Sequence, residues 1–384
     1  MSPYPAEERW KLALNNAVLA QAPPAYDGPD GFFPIQGDRI VAYDLRRGVQ
    51  RWLVPARPLS APAIGGGLLF LEQNGTLSAL HVADGSVAWT MPLTDTLSVP
   101  LVLDHGRLVA ATATAILLFS AEDGLLQWRR EIDARPHQRP SLGADHVYVP
   151  VADGRVLALR ADNGEMVWER RLPGAPNEIL VSESQLFVGS NDNYLYCLNA
   201  GDGVMRWRSP RTGSDVVSRP AVDDDHVYFI SLDNVLRALN RRNGVQQWKK
   251  GLTFRPAWSP IVGADTVLVT SIQGPLFAFY RKDGAAAGQM ETGADQIGAP
   301  PYAFPSDDAL GPIIVVVTSN RKAGATITAS SRRIEPQLVP LGTLPGLVPA
   351  PRPPAQPGET PPADLAPPTE SDPSVPAPPR NEKG

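Results

Sequence analysis

The chain has 384 residues and a formal net charge of −5, with acidic and basic residues interleaved, so composition offers no basic footprint for nucleic acid and no field for an anionic membrane surface. A single cysteine excludes an intramolecular disulfide and leaves the redox compartment open. The longest apolar strand, at 313–317, is far too short to span a bilayer, so no membrane span is expected.

Taken from the start, residues 1–22 carry Glu7, Glu8 and Arg9, and their apolar run is broken by Asn15 and Asn16, which does not read as a signal peptide. Trp10 stands in this segment with no patterned residues before it. A repeat then begins, made of a first-slot residue that is mostly small, a glycine six positions on and a tryptophan four beyond that. The copies are Ala42, Gly48 and Trp52; Ala79, Gly85 and Trp89; Leu118, Gly124 and Trp128; Ala158, Gly164 and Trp168; Cys197, Gly203 and Trp207; and Ala238, Gly244 and Trp248. A worn copy, Ala278, Gly284 and Gly288, has lost its tryptophan. The glycines are separated by 37, 39, 40, 39, 41 and 40 residues, the period of a four-stranded propeller blade.

Each fixed position has a physical reason. Residues before the glycine, such as 156–159 and 194–198, read as a strand, and a polar quartet ending in glycine turns the chain into the next strand, which carries the tryptophan. The turn asks for a positive φ, which glycine supplies. An indole has a large apolar face to bury and one N–H to satisfy, so it suits a seam between neighbouring sheets, where its burial contributes roughly 1.5–3 kcal/mol. Two-residue turn signals recur at Gly37-Asp38, Asn74-Gly75, Asp153-Gly154, Asp192-Asn193, Asp233-Asn234 and Gln273-Gly274. Prolines mark the entry of each innermost strand at Pro24, Pro62, Pro100, Pro140, Pro220, Pro260 and Pro301, with Ile179 in the remaining slot. Such a proline fits an edge strand that needs no donor on that side.

The last repeat, 298–334, has no tryptophan after it, and Trp10 has no repeat before it. The two gaps fit each other: if the N-terminal segment supplies the outer strand of the final blade, the ring has eight blades and no exposed break. A seven-bladed ring, with the segment after Met290 as an extra element, is the alternative. From about 335 to 384 proline rises to about one residue in three, a composition that cannot form a core and reads as a disordered spacer or a ligand for a proline-binding module. The expected division is therefore 1–334 for the propeller and 335–384 for the tail.

The tryptophan pattern resembles the docking motif of the PQQ-repeat β-propellers over about residues 10–334. The resemblance implies an all-β propeller of four-stranded antiparallel blades. That family includes quinoprotein dehydrogenases and the non-enzymatic BamB type of outer-membrane-protein assembly factor. The dehydrogenases use a vicinal cysteine pair, an acidic and amide set around calcium and an aspartate base on a longer chain; this chain has no such cysteine pair. Cys197 sits in a packing slot, and the five histidines show no close metal-ligand spacing. Asp223-Asp224-Asp225 reads as a solvated turn. The expectation is a monomeric, non-catalytic scaffold without cofactor or metal, binding a protein at its loop face or central funnel, with a quinone-dependent dehydrogenase or small-molecule-binding propeller as the alternative. The resemblance implies periplasm or cell envelope; the absence of a signal-peptide reading keeps the cytoplasm open.

Candidate binding residues come from superposing the repeats. Arg139, Glu178 and Arg219 each precede an innermost-strand entry on three consecutive blades, so charges of alternating sign are expected around one rim of the channel, with the carboxylate held between two guanidinium groups. Trp258 and Arg255 lie outside the tryptophan repeat on the next blade, at the expected mouth of the channel, and Arg135 and His137 enrich the same face in basic residues. This arc is the expected recognition surface for an acidic or carboxylate-bearing segment, beside the plainer role of an ion network fixing blade register.

Overall fold

The computed structural model describes residues 6–14, 22–272, 274–292, 296–306, 311–320 and 324–332. All of its regular elements are strands, arranged as eight antiparallel sheets around a ring. Seven sheets have four strands each, in simple chain order from the innermost strand to the outermost. Blade 4 is typical: Ser141–Leu142 lies innermost, then His146–Pro150, then Arg155–Arg160, and Met166–Arg171 is outermost. In six of these seven sheets the innermost strand is the shortest, whereas in blade 5 it runs over Pro176–Ser182 and exceeds the outer strand Met205–Arg208.

The middle strands are the core. Residues such as Val147, Val149, Val156, Leu157 and Leu159 are buried on both faces of the blade, each face packing on a neighbouring blade. The outer strands alternate exposed residues with one buried tryptophan, as in Met166–Arg171 with Trp168. In every blade with an intact motif the tryptophan lies opposite the first-slot residue, as in Ala158 against Trp168. The outer strand then skips one residue, a bulge that increases local twist and turns the indole out of its own sheet.

The indole crosses to the next blade. Nε1 of Trp10, Trp52, Trp89, Trp128, Trp168, Trp207 and Trp248 donates to a backbone carbonyl of the following blade at 2.7–3.1 Å. The ring lies over that blade's motif glycine. At Gly48, Gly85, Gly124, Gly164, Gly203, Gly244 and Gly284, φ runs from +68° to +75°, and an added Cβ would stand 2.6–3.0 Å from a ring atom. The glycine thus serves two needs, the positive φ anticipated from the turn and a close approach by the neighbouring blade's indole that only the structure reveals.

Closure follows the eight-bladed scheme. Ala6–Ala13 pairs with Gly324–Arg332, setting Trp10 opposite Ala329, and the Trp10 indole reaches Leu45 and Gly48 of the first blade. The final sheet has five strands, because Gln296–Ile297 and Tyr302–Phe304 both pair with Ile313–Asn320. At the seam entering this blade Gly288 occupies the tryptophan position, and Ala278, Leu276, Met290, Ile314 and Val316 fill the interface instead. The turn residue Gln273 and the tail at 335–384 lie outside the described residues.

Two glycines separate the requirements. Gly164→Ala must both hold a left-handed backbone and displace the Trp128 ring, a loss of about 2–4 kcal/mol. Gly66 has φ +62° and nothing within 4 Å of an added Cβ, so Gly66→Ala should cost only about 1 kcal/mol. Chemical denaturation of the two variants checks this; equal losses would mean that the close approach to the indole contributes nothing.

Candidate functional site at the channel mouth

Loops running from one blade's outer strand to the next blade's innermost strand share one face of the ring, and three of them build the site. The segment 209–219 is clamped between blades 5 and 6. Val216 is fully buried there, its N–H donates to Ser190 O at 3.2 Å, and Asn177 Nδ2 donates to its carbonyl at 2.9 Å. Asp233 secures the same loop by accepting from the Gly213 N–H at 2.9 Å, while itself receiving Arg237 Nη2 at 2.6 Å and the Ser231 hydroxyl. The segment 252–259 is pinned to blade 7: Ala257 N–H donates to Thr270 O, Ile272 N–H donates to Arg255 O, and the rings of Phe254 and Phe277 stack at 4.2 Å. The third loop is held by donation from His137 N–H to Pro150 O and from Ala152 N–H to Arg135 O.

These loops carry Arg139, Arg219, Arg255 and Trp258 to the channel mouth, and Glu178 joins them from the innermost strand of blade 5, Pro176–Ser182. Arg139, Glu178, Arg219 and Trp258 line a channel of about 680 Å³ whose wall is otherwise rich in the entry prolines. Glu178, Arg219, Arg255 and Trp258 also line an adjoining cleft of about 540 Å³, bordered by Ser231, Leu232 and Asn234 of the blade 6 hairpin. Ser259 ties the two loops, its Oγ accepting from the Arg219 N–H at 3.0 Å. Nothing before the structure singled out Ser259, Asn177 or Asp233 as supports; Asp233-Asn234 was legible only as a turn.

The expected sharing of Glu178 between two arginines is not what the geometry gives. Arg139 Nε lies 3.1 Å from Glu178 Oε1, whereas the Arg219 guanidinium has no ion-pair partner among the described residues. All three residues are half-buried, but Arg219 Nε is shut off from solvent and the Arg219 backbone N–H is tied to Ser259 Oγ of the 252–259 loop. Burial, with the Arg139 guanidinium adding to it and Glu178 opposing it, pushes the Arg219 pKa down from its ordinary value. Arg219 Nε and Trp258 Nε1 are buried donors without an acceptor among the described residues. Arg255 is exposed.

Other candidates fall into structural roles. Cys197 is buried opposite Trp207, and burial pushes its thiol up to about 12, away from reactivity. The acidic triplet departs from expectation: Asp224 and Asp225 are exposed, but Asp223 is not solvated. Its carboxylate accepts from Tyr228 Oη at 2.7 Å, from the His226 N–H at 2.7 Å and pairs with Arg281 Nε of blade 7 at 2.8 Å, so it locks two blades together. His146 and His226 each open a second strand and lie against Tyr148 and Tyr228. Among the described residues no group of three or more His, Cys, Asp or Glu side chains could hold a metal ion.

Residues 36–179 and 177–338 match the family described as outer membrane protein assembly factor BamB. The chain belongs to this family. The BamB of Yersinia pestis is 25% identical over 291 residues, covering 70% of this chain and 72% of that protein. The BamB of Moranella endobia is 21% identical over 267 residues, covering 63% and 68%. The crystal structure of BamB from Moraxella catarrhalis superposes with a TM-score of 0.65 at 18% identity, covering 85% of this chain and 97% of that one. Quinohemoprotein alcohol dehydrogenase from Comamonas testosteroni superposes equally well, with a TM-score of 0.65 at 11% identity, covering 86% and 77%. Structural likeness at these identities speaks for the ring alone, and the sequence match selects the BamB family within it.

The support beneath the site has a pH signature. Burial would raise the Asp233 pKa, but hydrogen bonds from Arg237, Ser231 and the Gly213 N–H outweigh it and bring the value down to about 2 from an ordinary 3.8. Its stabilising contribution is therefore full above the unfolded value and is lost as pH falls from 3.8 towards 2. Asp233→Asn should melt below the parent at neutral pH, and the gap should narrow as melts are repeated towards about pH 2. A gap independent of pH would show that the carboxylate charge is not what holds the loop.

Proposed function

We propose that this propeller is a non-catalytic scaffold of outer-membrane protein assembly that receives a protein partner at its loop face and channel mouth. The observation that carries the reading is the match of both halves of the ring to the BamB family, whose described relatives are assembly factors. The dehydrogenase alternative shares the ring but has no comparable support in the side chains. There is no adjacent cysteine pair, Cys197 is a packing residue, and the described residues offer no metal-binding group.

The loop face suits a binding surface for physical reasons. Its loops are rigidly held by backbone bonds and buried anchors, so a partner would not have to order them on binding. Arg139, Arg219 and Arg255 outnumber Glu178 there, and Val217 and Leu232 expose apolar surface beside them. Aromatic and arginine side chains in a partly desolvated setting are the residue types that carry binding energy. Trp258 and Arg219 are therefore the central contacts of the proposed surface, with Arg139 and Arg255 at its margin.

Replacing Trp258 with a photo-cross-linking phenylalanine analogue, in cells producing the full chain, should trap a protein of outer-membrane assembly. The same replacement at His105, on the hairpin between the first two strands of blade 3, should not. No adduct at position 258, or equal adducts at both positions, would contradict the loop-face assignment; dye-linked alcohol oxidation by purified protein given quinone and calcium would contradict the non-catalytic reading.

A further inference from the structure

The channel mouth contains two buried hydrogen-bond donors that no described residue satisfies. Arg219 Nε and Trp258 Nε1 both lack an acceptor among the described residues, and both side chains border the cleft of about 540 Å³. Donation from the backbone N–H of Arg219 to Ser259 Oγ, on the residue after Trp258, fixes the two segments side by side. A buried donor left unpaired costs about 1–3 kcal/mol, and a charged one costs more. Two such donors on residues that line one cleft are a liability in the isolated chain that an acceptor entering the cleft would relieve.

That acceptor is not supplied from within. Glu178, the one carboxylate lining the cleft, is taken by Arg139 at 3.1 Å, and Asp233 behind the hairpin is taken by Arg237 at 2.6 Å. Arg255 adds a second positive charge at the exposed edge and has no ion pair among the described residues. The lowered pKa of Arg219 accords with this, since burial and then the Arg139 guanidinium disfavour its charge and Glu178 does not fully offset them.

We propose that this cleft receives the side-chain carboxylate of an acidic residue in an extended segment of a protein partner. One carboxylate has acceptor capacity for both the guanidinium of Arg219 and the indole N–H of Trp258, and the apolar wall formed by Ile230, Pro256 and the Trp258 ring strengthens the charge-assisted bonds by excluding water. A peptide suits the site better than a free small acid for two reasons: the cleft is far larger than one carboxylate, and Val217 and Leu232 expose apolar surface at its rim for the residues on either side. The inference rests on the scaffold reading only in taking a protein as the partner.

The indole N–H of Trp258 is itself the reporter. The eight tryptophans give eight indole resonances in a ¹⁵N-labelled protein, and Trp258→Phe identifies the one from the cleft. The probe is a blocked five-residue peptide with a glutamate between two leucines, compared with its glutamine counterpart and with acetate. The glutamate peptide should move the Trp258 resonance saturably, and the glutamine peptide should bind at least about tenfold more weakly, a difference of about 1.4 kcal/mol. Acetate at the same concentration should leave the resonance in place. Arg219→Gln should abolish the response. Arg255→Gln removes an exposed side chain and so leaves folding intact; it should weaken binding severalfold.

A Trp258 resonance indifferent to the glutamate peptide, equal binding of the glutamine peptide, or an equal response to acetate would each overturn the proposal. Capture of an assembly protein at position 258 without any peptide response would leave the scaffold reading standing and remove the carboxylate. Peptide binding without capture would do the reverse.

Discussion

The ring depends on one contact made seven times: an indole from one blade laid over a glycine of the next, with its N–H on a backbone carbonyl. The contact joins two demands that each residue alone could meet only in part. The tryptophan needs an apolar bed with an acceptor at its edge, and a turn with left-handed glycine offers a flat backbone with a free carbonyl. No side chain but hydrogen fits under the ring, so the pair is specific without any charge. Each seam stacks burial of an aromatic, worth roughly 1.5–3 kcal/mol, on a net hydrogen bond of about 1 kcal/mol.

Rigid seams have a consequence for the loop face. Because blade register is set at the outer rim and in the middle strands, the loops near the axis are free of that duty. They can carry side chains that are poorly satisfied in the isolated chain. Arg219 and Trp258 are such side chains: among the buried polar atoms left without a partner, which also include Tyr26 Oη, Asp192 Oδ1, His226 Nδ1 and Thr266 Oγ1, theirs are the two donors on residues lining the channel-mouth cleft. The inter-blade nodes on the ring body show the contrast: Asp223 is fully engaged by Tyr228, His226 and Arg281, and Arg241 reaches Gln185 and Ser182 of the preceding blade.

Much of this was legible in the sequence, for a reason tied to repetition. Six intact copies of the glycine and tryptophan spacing gave the blade period, and the solitary Trp10 gave the closure, because a large aromatic without its turn had to belong to a blade begun elsewhere. Ala329, its partner slot, passed unnoticed since no glycine turn follows it. Superposing repeats singles out Arg139, Glu178 and Arg219, and departure from the repeat singles out Arg255 and Trp258; all five line the channel mouth or its adjoining cleft, but the pairing among them is not legible in the spacing. Spacing places residues around a ring and says nothing of where each side chain reaches: Glu178 pairs with Arg139, while Arg219 makes no ion pair among the described residues. Asp223 shows the same limit, its turn being polar in sequence while its side chain reaches across the seam to Arg281.

One seam differs from all the others. Between blades 7 and 8 the tryptophan position holds Gly288, and aliphatic packing replaces the indole lock. If the indole and glycine contact is what holds the blades together, opening of the ring begins there. Native-state hydrogen exchange measured strand by strand tests this most directly: the amides of Ala286–Met290 should exchange by subglobal opening well before those of Met166–Arg171. Equal protection of the two outer strands, or earlier exchange in the blade that carries Trp168, would contradict the account.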